Sequence, residues 1–197
     1  MHAMTFVDAL AAGRTEWRVA LRVGAVLFVT ALTAAAAQIS VPLPFTAVPF
    51  TFQPMVVLLG GLALGSKLGP ASQFLYLMAG IIGLPVFAAS ATLPPGALRL
   101  IGPTGGYLLA YPFAAFLTGY LAECGFDRRY VTSVIAMTAG LALVYFCGGT
   151  WLAMSTGMGA ATAFAAGVAP FIAADLLKLL AAAGILPAFW KLLGRAG

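Results

Sequence analysis

Gly167-Val168-Ala169-Pro170-Phe171-Ile172-Ala173-Ala174-Asp175-Leu176-Leu177-Lys178-Leu179-Leu180 sets an acid and a base three residues apart in a run that is otherwise apolar as far as Trp190. On a helix, positions i and i+3 share a face, so Asp175 and Lys178 present a carboxylate and an ammonium side by side. A charge at the centre of a membrane helix costs roughly 2.5–3.5 kcal/mol on insertion scales. A solvated pair of this spacing returns only about 0.2–0.5 kcal/mol. Mutual attraction therefore does not offset the insertion cost, and the pair should face a polar cavity, a ligand or the water boundary. The alternative is a structural ion pair near a helix end.

The rest of the chain makes the membrane reading general. Its 197 residues are 62% hydrophobic and 8% charged, against roughly 45–50% apolar and about 25% charged in soluble domains. Several apolar runs reach helix-spanning length without the alternation of a barrel strand, so the fold class is an all-α integral membrane protein forming one domain over 1–197. Cys124 and Cys147 show no metal or redox spacing and read as packing residues. The net charge of +5 comes from bases dispersed among apolar segments. They form no basic face, which argues against nucleic acid as a partner.

Six spans are expected, at roughly 17–37, 48–64, 70–88, 105–122, 130–151 and 168–193. The segment ahead of them carries Asp8 and no basic leader, so it reads as a short cytoplasmic stretch, not a cleaved signal. Ala31 and Ala35 give the first span a small-residue face for close helix approach, either within this chain or by a partner subunit. Between the first two spans, Gln38 to Pro54 holds Pro42, Pro44, Pro49 and Pro54 and the triplets Pro44-Phe45-Thr46 and Pro49-Phe50-Thr51. Proline removes donors and forces its predecessor extended, so this is a structured loop. Its length favours a lid over a tether. Thr51 and Gln53 are its candidate polar contacts, and Phe45, Phe50 and Phe52 are either cover or lipid anchors.

Gly65-Ser66-Lys67-Leu68-Gly69 reads as a tight turn between the second and third spans. Gly60 to Lys67 resembles a phosphate-binding loop, but it ends Gly-Ser-Lys where Gly-Lys-Ser/Thr is required, and no strand precedes it. Thr104-Gly105-Gly106-Tyr107 opens the fourth span. Glycines at a helix start either admit a ligand to the backbone N–H groups or pack helices closely. Leu152 to Gly167 reads as a loop rich in small residues.

Alternating the six spans gathers Arg14, Arg18, Arg22, Lys67, Arg128, Arg129, Lys191 and Arg195 on one side, leaving Arg99 and Lys178 for the other. The positive-inside rule makes the first side cytoplasmic, with both termini there. The proline-rich loop, Arg99, Thr104 to Tyr107 and Asp175/Lys178 then fall at the external ends of their helices, where they can line one pocket.

The chemistry available is narrow. His2 is the only histidine, five carboxylates serve the whole chain, and no nucleotide-binding motif is intact. Zinc proteolysis, Ser–His catalysis and ATP hydrolysis by this chain are excluded on residue grounds, and neither a catalytic residue nor a metal ligand is assigned. What remains is one acid, one or two bases, backbone amides and a side-chain amide, a set suited to recognising a small anion with a neutral head.

Val41-Pro42-Leu43-Pro44-Phe45-Thr46, Val48-Pro49-Phe50-Thr51-Phe52-Gln53, Gly83-Leu84-Pro85-Val86-Phe87, Gly102-Pro103-Thr104-Gly105-Gly106-Tyr107 and Asp175-Leu176-Leu177-Lys178 together resemble the BioY family. These are the biotin-specific substrate-binding S components of energy-coupling factor (ECF) transporters. The resemblance spans residues 17–193. It implies a six-helix S-component fold in a bacterial cytoplasmic membrane that captures biotin externally beneath the first loop. It implies no cofactor, and association with a transmembrane T component and ABC-type ATPase subunits that alone use ATP. Ala31 and Ala35 become the docking face. Gly105, Gly106, Tyr107, Asp175 and Lys178 become ligand contacts, with Asp175 on the ureido donors and Lys178 on either the ureido carbonyl or the carboxylate. Thr104, Gln53, Phe52 and Arg99 complete the expected site, with Arg99 as an anion contact. The stretch from Ala88 to Arg99 departs from the family's glycine-rich pattern. An S component for another vitamin, or a non-transporting scaffold in which Asp175 and Lys178 merely pair, are the competing expectations.

Overall fold

The computed structural model describes residues 4–11, 15–90 and 93–194. His2, Arg14 and Arg195, which enter the arguments above, lie outside them. Alanine-rich and free of proline, Arg18–Gln38 forms a single long helix, α2, behind the short helix α1 (Phe6–Ala11) and a 3-10 turn at Thr15–Trp17. The chain then enters the proline-rich stretch, where Ser40–Val41 (β1) and Phe50–Thr51 (β2) pair antiparallel, Ser40 opposite Thr51 and Val41 opposite Phe50. Extended backbone is what the prolines enforce, and the pairing turns residues 42–49 into a flap.

Gln53–Ile81 (α3) is two helical legs that meet at a break, because Gly65 has φ 83° and ψ 179°. As one straight rod, Gln53 and Tyr76 would stand about 35 Å apart at 1.5 Å per residue. Instead Gln53 Nε2 donates to the Tyr76 hydroxyl at 2.6 Å. The element is a helical hairpin whose legs touch: a Cβ added to Gly69 would meet the Gly61 Cα at 3.1 Å and the Ala115 carbonyl oxygen at 3.2 Å. The expected turn over 65–69 is thus a break at Gly65 alone, and Pro70 stays within the returning leg. The legs are shorter than the expected spans. Pro49 holds the approach to the first leg extended while Pro54 fits its first turn. The second leg stops at Ile81, before Pro85.

Leu98–Ile101 (α4) leads into Gly105–Glu123 (α5), the central helix, which packs into the hairpin and against Tyr130–Thr156 (α6). Gly157, at φ 70°, ends α6 in a left-handed cap. The stretch expected as a loop then carries a helix, Ala160–Gly167 (α7), since its alanines favour that state once Gly157 has turned the chain. The last expected span is two helices, Ala169–Ala182 (α8) and Ile185–Leu192 (α9), with Pro170 in the first turn of α8 and a break at Ala183–Gly184. Asp175 and Lys178 both lie on α8.

Among the described residues four stretches are long and apolar enough to cross a membrane: Arg18–Gln38, Gln53–Ile81, Tyr130–Thr156 and Ala169–Leu192. Large apolar side chains such as Phe28, Phe74, Phe113, Val131, Phe146 and Leu177 are exposed around the bundle, as a lipid-facing surface requires. The inner core joins Leu58, Leu62, Tyr76, Ala114, Met137 and Leu179 across α3, α5, α6 and α8.

The end that holds Gly65 is tied by polar bonds. Glu123 accepts from the Ser66 backbone N–H and hydroxyl, each at 2.8 Å. Trp190 Nε1 donates to Asp127 Oδ2 at 2.6 Å, and the Arg128 guanidinium lies 3.5 Å over the Trp190 ring. Arg128 also donates to the Met4 carbonyl, and Phe6 meets Trp190 edge-on, docking the N-terminal segment here. The flap and the cavity beneath it occupy the other end.

Candidate ligand-binding site

The cavity is closed by the flap (Val48, Pro49, Thr51), the start of α3 (Gln53, Pro54), and Phe87, Ser90, Leu93 and Arg99. Behind these stand Thr104 just ahead of α5, Tyr107 and Tyr111 of α5, Tyr145 of α6, and Phe171 and Asp175 of α8. Its walls are mostly apolar with a few convergent polar groups, the usual character of a small-molecule site.

Asp175 is the acidic group on this wall, and both its oxygens are engaged. Oδ1 is ion-paired with the Lys178 ammonium, and Oδ2 accepts the Tyr145 hydroxyl at 2.6 Å. A carboxylate has about four lone-pair sites, so each oxygen can still accept a ligand N–H. Both residues are buried, Asp175 at 5% and Lys178 at 9% exposure, so neither charge is relieved by bulk water. The pair thus neutralises itself inside the bundle and leaves a fixed acceptor edge towards the cavity.

Lys178 turns the other way. Its ammonium donates to the Thr51 carbonyl at 2.6 Å and sits 4.0 Å from the Phe50 ring centre and 5.2 Å from that of Phe52. Three consecutive flap residues therefore surround one ammonium. Neither Lys178 nor Phe52 forms part of the cavity wall, so the expected pair divides, acid to the cavity and base to the flap.

Gln53 lies on the wall, its amide bound to Tyr76, whose hydroxyl in turn donates to the Val86 carbonyl at 3.1 Å. Tyr107 contributes its ring, while its hydroxyl donates to the Gly167 carbonyl at 2.7 Å and holds the α7–α8 junction against α5. Thr104 is on the wall as well. Gly105 and Gly106 are not. A Cβ on Gly105 would fall 1.9 Å from the Leu100 carbonyl oxygen, and one on Gly106 would fall 2.2 Å from Trp151 Cβ. Close helix packing requires these glycines, and that packing sets Thr104 and Tyr107 in place.

Arg99 is buried at 8% exposure, and its Nε donates to the Pro94 carbonyl at 3.1 Å. Among the described residues no hydrogen bond or ion pair occupies its terminal nitrogens, which makes it a cation on the cavity wall without an acid. Ala31 and Ala35 are exposed on α2 and are not part of the cavity wall. Sequence reasoning missed Tyr145 and Tyr111. The available signal was a phenol inside an apolar span, since a buried tyrosine hydroxyl needs a partner. Among the described residues no three metal-ligating side chains come together.

The model of the BioY family matches residues 11–195. The chain belongs to the BioY family. Among its relatives is a probable biotin transporter BioY of Pyrococcus horikoshii, 41% identical over 160 residues, covering 81% of this chain and 90% of that protein. A biotin transporter BioY of Thermotoga maritima is 38% identical over 154 residues, covering 78% of this chain and 86% of that protein. The fold is similar to a crystal structure described as the S-component for biotin from an ECF-type ABC transporter. That match has a TM-score of 0.78 at 27% identity and covers 86% of this chain and 90% of the other. BioY membership places the chain among transport proteins and gives the cavity beneath the flap a family context.

Proposed function

We propose that this chain captures biotin with high affinity and, as the S component of an ECF-type transporter, serves its uptake across the cytoplasmic membrane. The observation that carries the reading is the Asp175 carboxylate, buried on the cavity wall and oriented from both sides by Lys178 and Tyr145. A ureido ring offers two N–H donors, and a carboxylate edge with free lone pairs is their complement. Arg99, with no acid paired to it among the described residues, suits the valerate carboxylate at the other end of the ligand. Tyr107, Tyr111 and Phe171 supply apolar surface for the ring system and chain.

The same proposal includes six membrane passages with both termini cytoplasmic. Two observations support it: the hairpin at Gly65, and the gathering of Arg22, Lys67, Arg128 and Lys191 at the end away from the flap. It also includes docking of a T component on the exposed face of α2 bearing Ala31 and Ala35, and ATP use only by partner ATPase subunits. Equilibrium binding of labelled biotin to the purified chain is the test. Saturable binding that weakens at least about tenfold in Asp175→Asn is expected, since hydrogen bonds to a charged group contribute about 1.5–3 kcal/mol. No saturable binding, or an unaltered Asp175→Asn, overturns the reading.

A further inference from the structure

A second, outer hollow adjoins the cavity, lined by Gln38, Pro85, Phe87, Pro94, Pro95 and Arg99. Gln38, Pro85, Pro94 and Pro95 are exposed, so the hollow faces outward, whereas Phe87 and Arg99 are buried between the two spaces. Phe87, Ala89, Ser90, Leu93 and Arg99 border both, and neither Asp175 nor Tyr145 reaches the outer one. The site is therefore polar at two ends. Its acceptor end is deep, and its cationic end lies in the partition next to the outside.

We infer that the outer hollow is a vestibule that accepts a substituent on the ligand's carboxyl end, so that the substrate class includes biotin amides as well as free biotin. The inference rests on the biotin reading above. With the ureido ring on Asp175, the far end of the ligand meets Arg99. The terminal nitrogens of Arg99 have no hydrogen-bond or ion-pair partner among the described residues. A guanidinium holds a carboxylate through paired N–H donors, but the same donors serve an amide carbonyl, at the loss of the charge contribution. Beyond that carbonyl, a linked amino acid enters a space bounded by proline rings and the Gln38 amide. Gln38 Nε2 is held by the Ala34 and Pro85 carbonyls at 3.2 and 3.1 Å, which fixes that wall of the hollow. An anchor that sits in the partition, not at the blind end of a pocket, leaves the ligand's tail a way out.

The test is competition against labelled biotin on the purified full chain, using unlabelled biotin, biotinyl-glycine and biotin joined through its carboxyl group to the ε-amine of lysine. Both conjugates are expected to displace the label within about 10–100-fold of biotin, the loss corresponding to one charge-assisted contact. Gln38→Trp, and separately Pro95→Phe, fill the vestibule. Each is expected to weaken the conjugates at least about tenfold further while leaving biotin unchanged. Conjugates that fail to displace at about a thousandfold excess, while biotin competes, overturn the vestibule and leave the biotin reading intact. So do fillings that alter neither conjugate, or that weaken biotin as much. Failure of biotin itself to compete overturns both.

Discussion

The Lys178 ammonium donates to the Thr51 backbone carbonyl across 127 residues of sequence, at 2.6 Å. Through it α8 holds the flap by its second strand, while the same ammonium neutralises the carboxylate that faces the cavity. Occupancy of Asp175 and position of the flap thus share one group. Lys178→Met keeps the length of the stem and removes the donor, so the flap loses a charge-assisted hydrogen bond of about 1.5–3 kcal/mol and an aromatic cage around its partner. Biotin dissociation is expected to accelerate at least about tenfold, with a smaller change in association. A maleimide-reactive cysteine at exposed Phe45 should label faster in Lys178→Met even without ligand. Unchanged labelling would show that Lys178 does not hold the flap.

Tyr145 fixes the other oxygen of Asp175 at 2.6 Å. Tyr145→Phe leaves the ring packing in place but frees Oδ2, so the carboxylate gains rotational freedom and loses one donor. A fall in biotin affinity of about 3–10-fold is expected from one hydrogen bond, with thermal stability nearly unchanged. Isothermal titration of the variant beside the parent measures it. Equal affinities would place Tyr145 outside ligand recognition.

The sequence carried the acid and base on α8 because charges in an apolar run are expensive and therefore conspicuous, and it carried the hairpin because Gly65, Ser66, Lys67 and Gly69 cluster at the end of an apolar run. It could not assign Gly105 and Gly106, since close packing and ligand approach demand the same absent Cβ. It did not divide Asp175 from Lys178. Helical spacing places two residues on one face, but which way a four-carbon stem turns depends on the flap packed against it. The break at Ala183–Gly184 had a signal, Gly184 followed by Pro187, but the run is apolar on both sides of it and so reads as one span.

Gly65 has a backbone that L side chains rarely adopt, and a Cβ there would stand 2.5 Å from Thr5 Cγ2 and 2.9 Å from Glu123 Oε1. Gly65→Ala should cost about 1–2 kcal/mol from the left-handed backbone alone and lower the unfolding midpoint by roughly 2–8 °C. Gly24 is the control, with nothing within 4 Å of a Cβ on a regular helix. Gly24→Ala should leave the midpoint unchanged or raise it. Differential scanning fluorimetry in detergent separates the two, and equal midpoints for both variants would contradict the strained turn.

The exposed stripe of Ala31 and Ala35 makes a separate prediction. Ala35→Trp adds bulk on an exposed face of α2, so biotin binding by the isolated chain should be unaffected. Recovery of a co-expressed T component with the tagged chain should fall several-fold, since small-residue faces act by close backbone approach. Undiminished recovery would move the docking surface elsewhere.

Asp127 lies between α5 and α6, fully buried, and accepts Trp190 Nε1 through Oδ2 while Oδ1 faces the Arg128 guanidinium at 3.4 Å. Burial pushes its carboxyl above the ordinary aspartate range, against the opposing pull of Trp190 and Arg128. An acid whose folded-state pKa is raised binds its proton more tightly when folded. Its contribution to stability is therefore greatest below the unfolded pKa of about 3.9 and declines as pH rises through the folded value. Asp127→Asn keeps an acceptor for Trp190 and removes the titration. The difference in unfolding midpoint, Asp127→Asn minus parent, should consequently grow more positive between about pH 4 and pH 7. The comparison is made by scanning fluorimetry of both proteins in one buffer series. Parallel curves would show that the buried carboxyl does not titrate in that window, and a difference that shrinks with pH would show that Arg128, not burial, governs it.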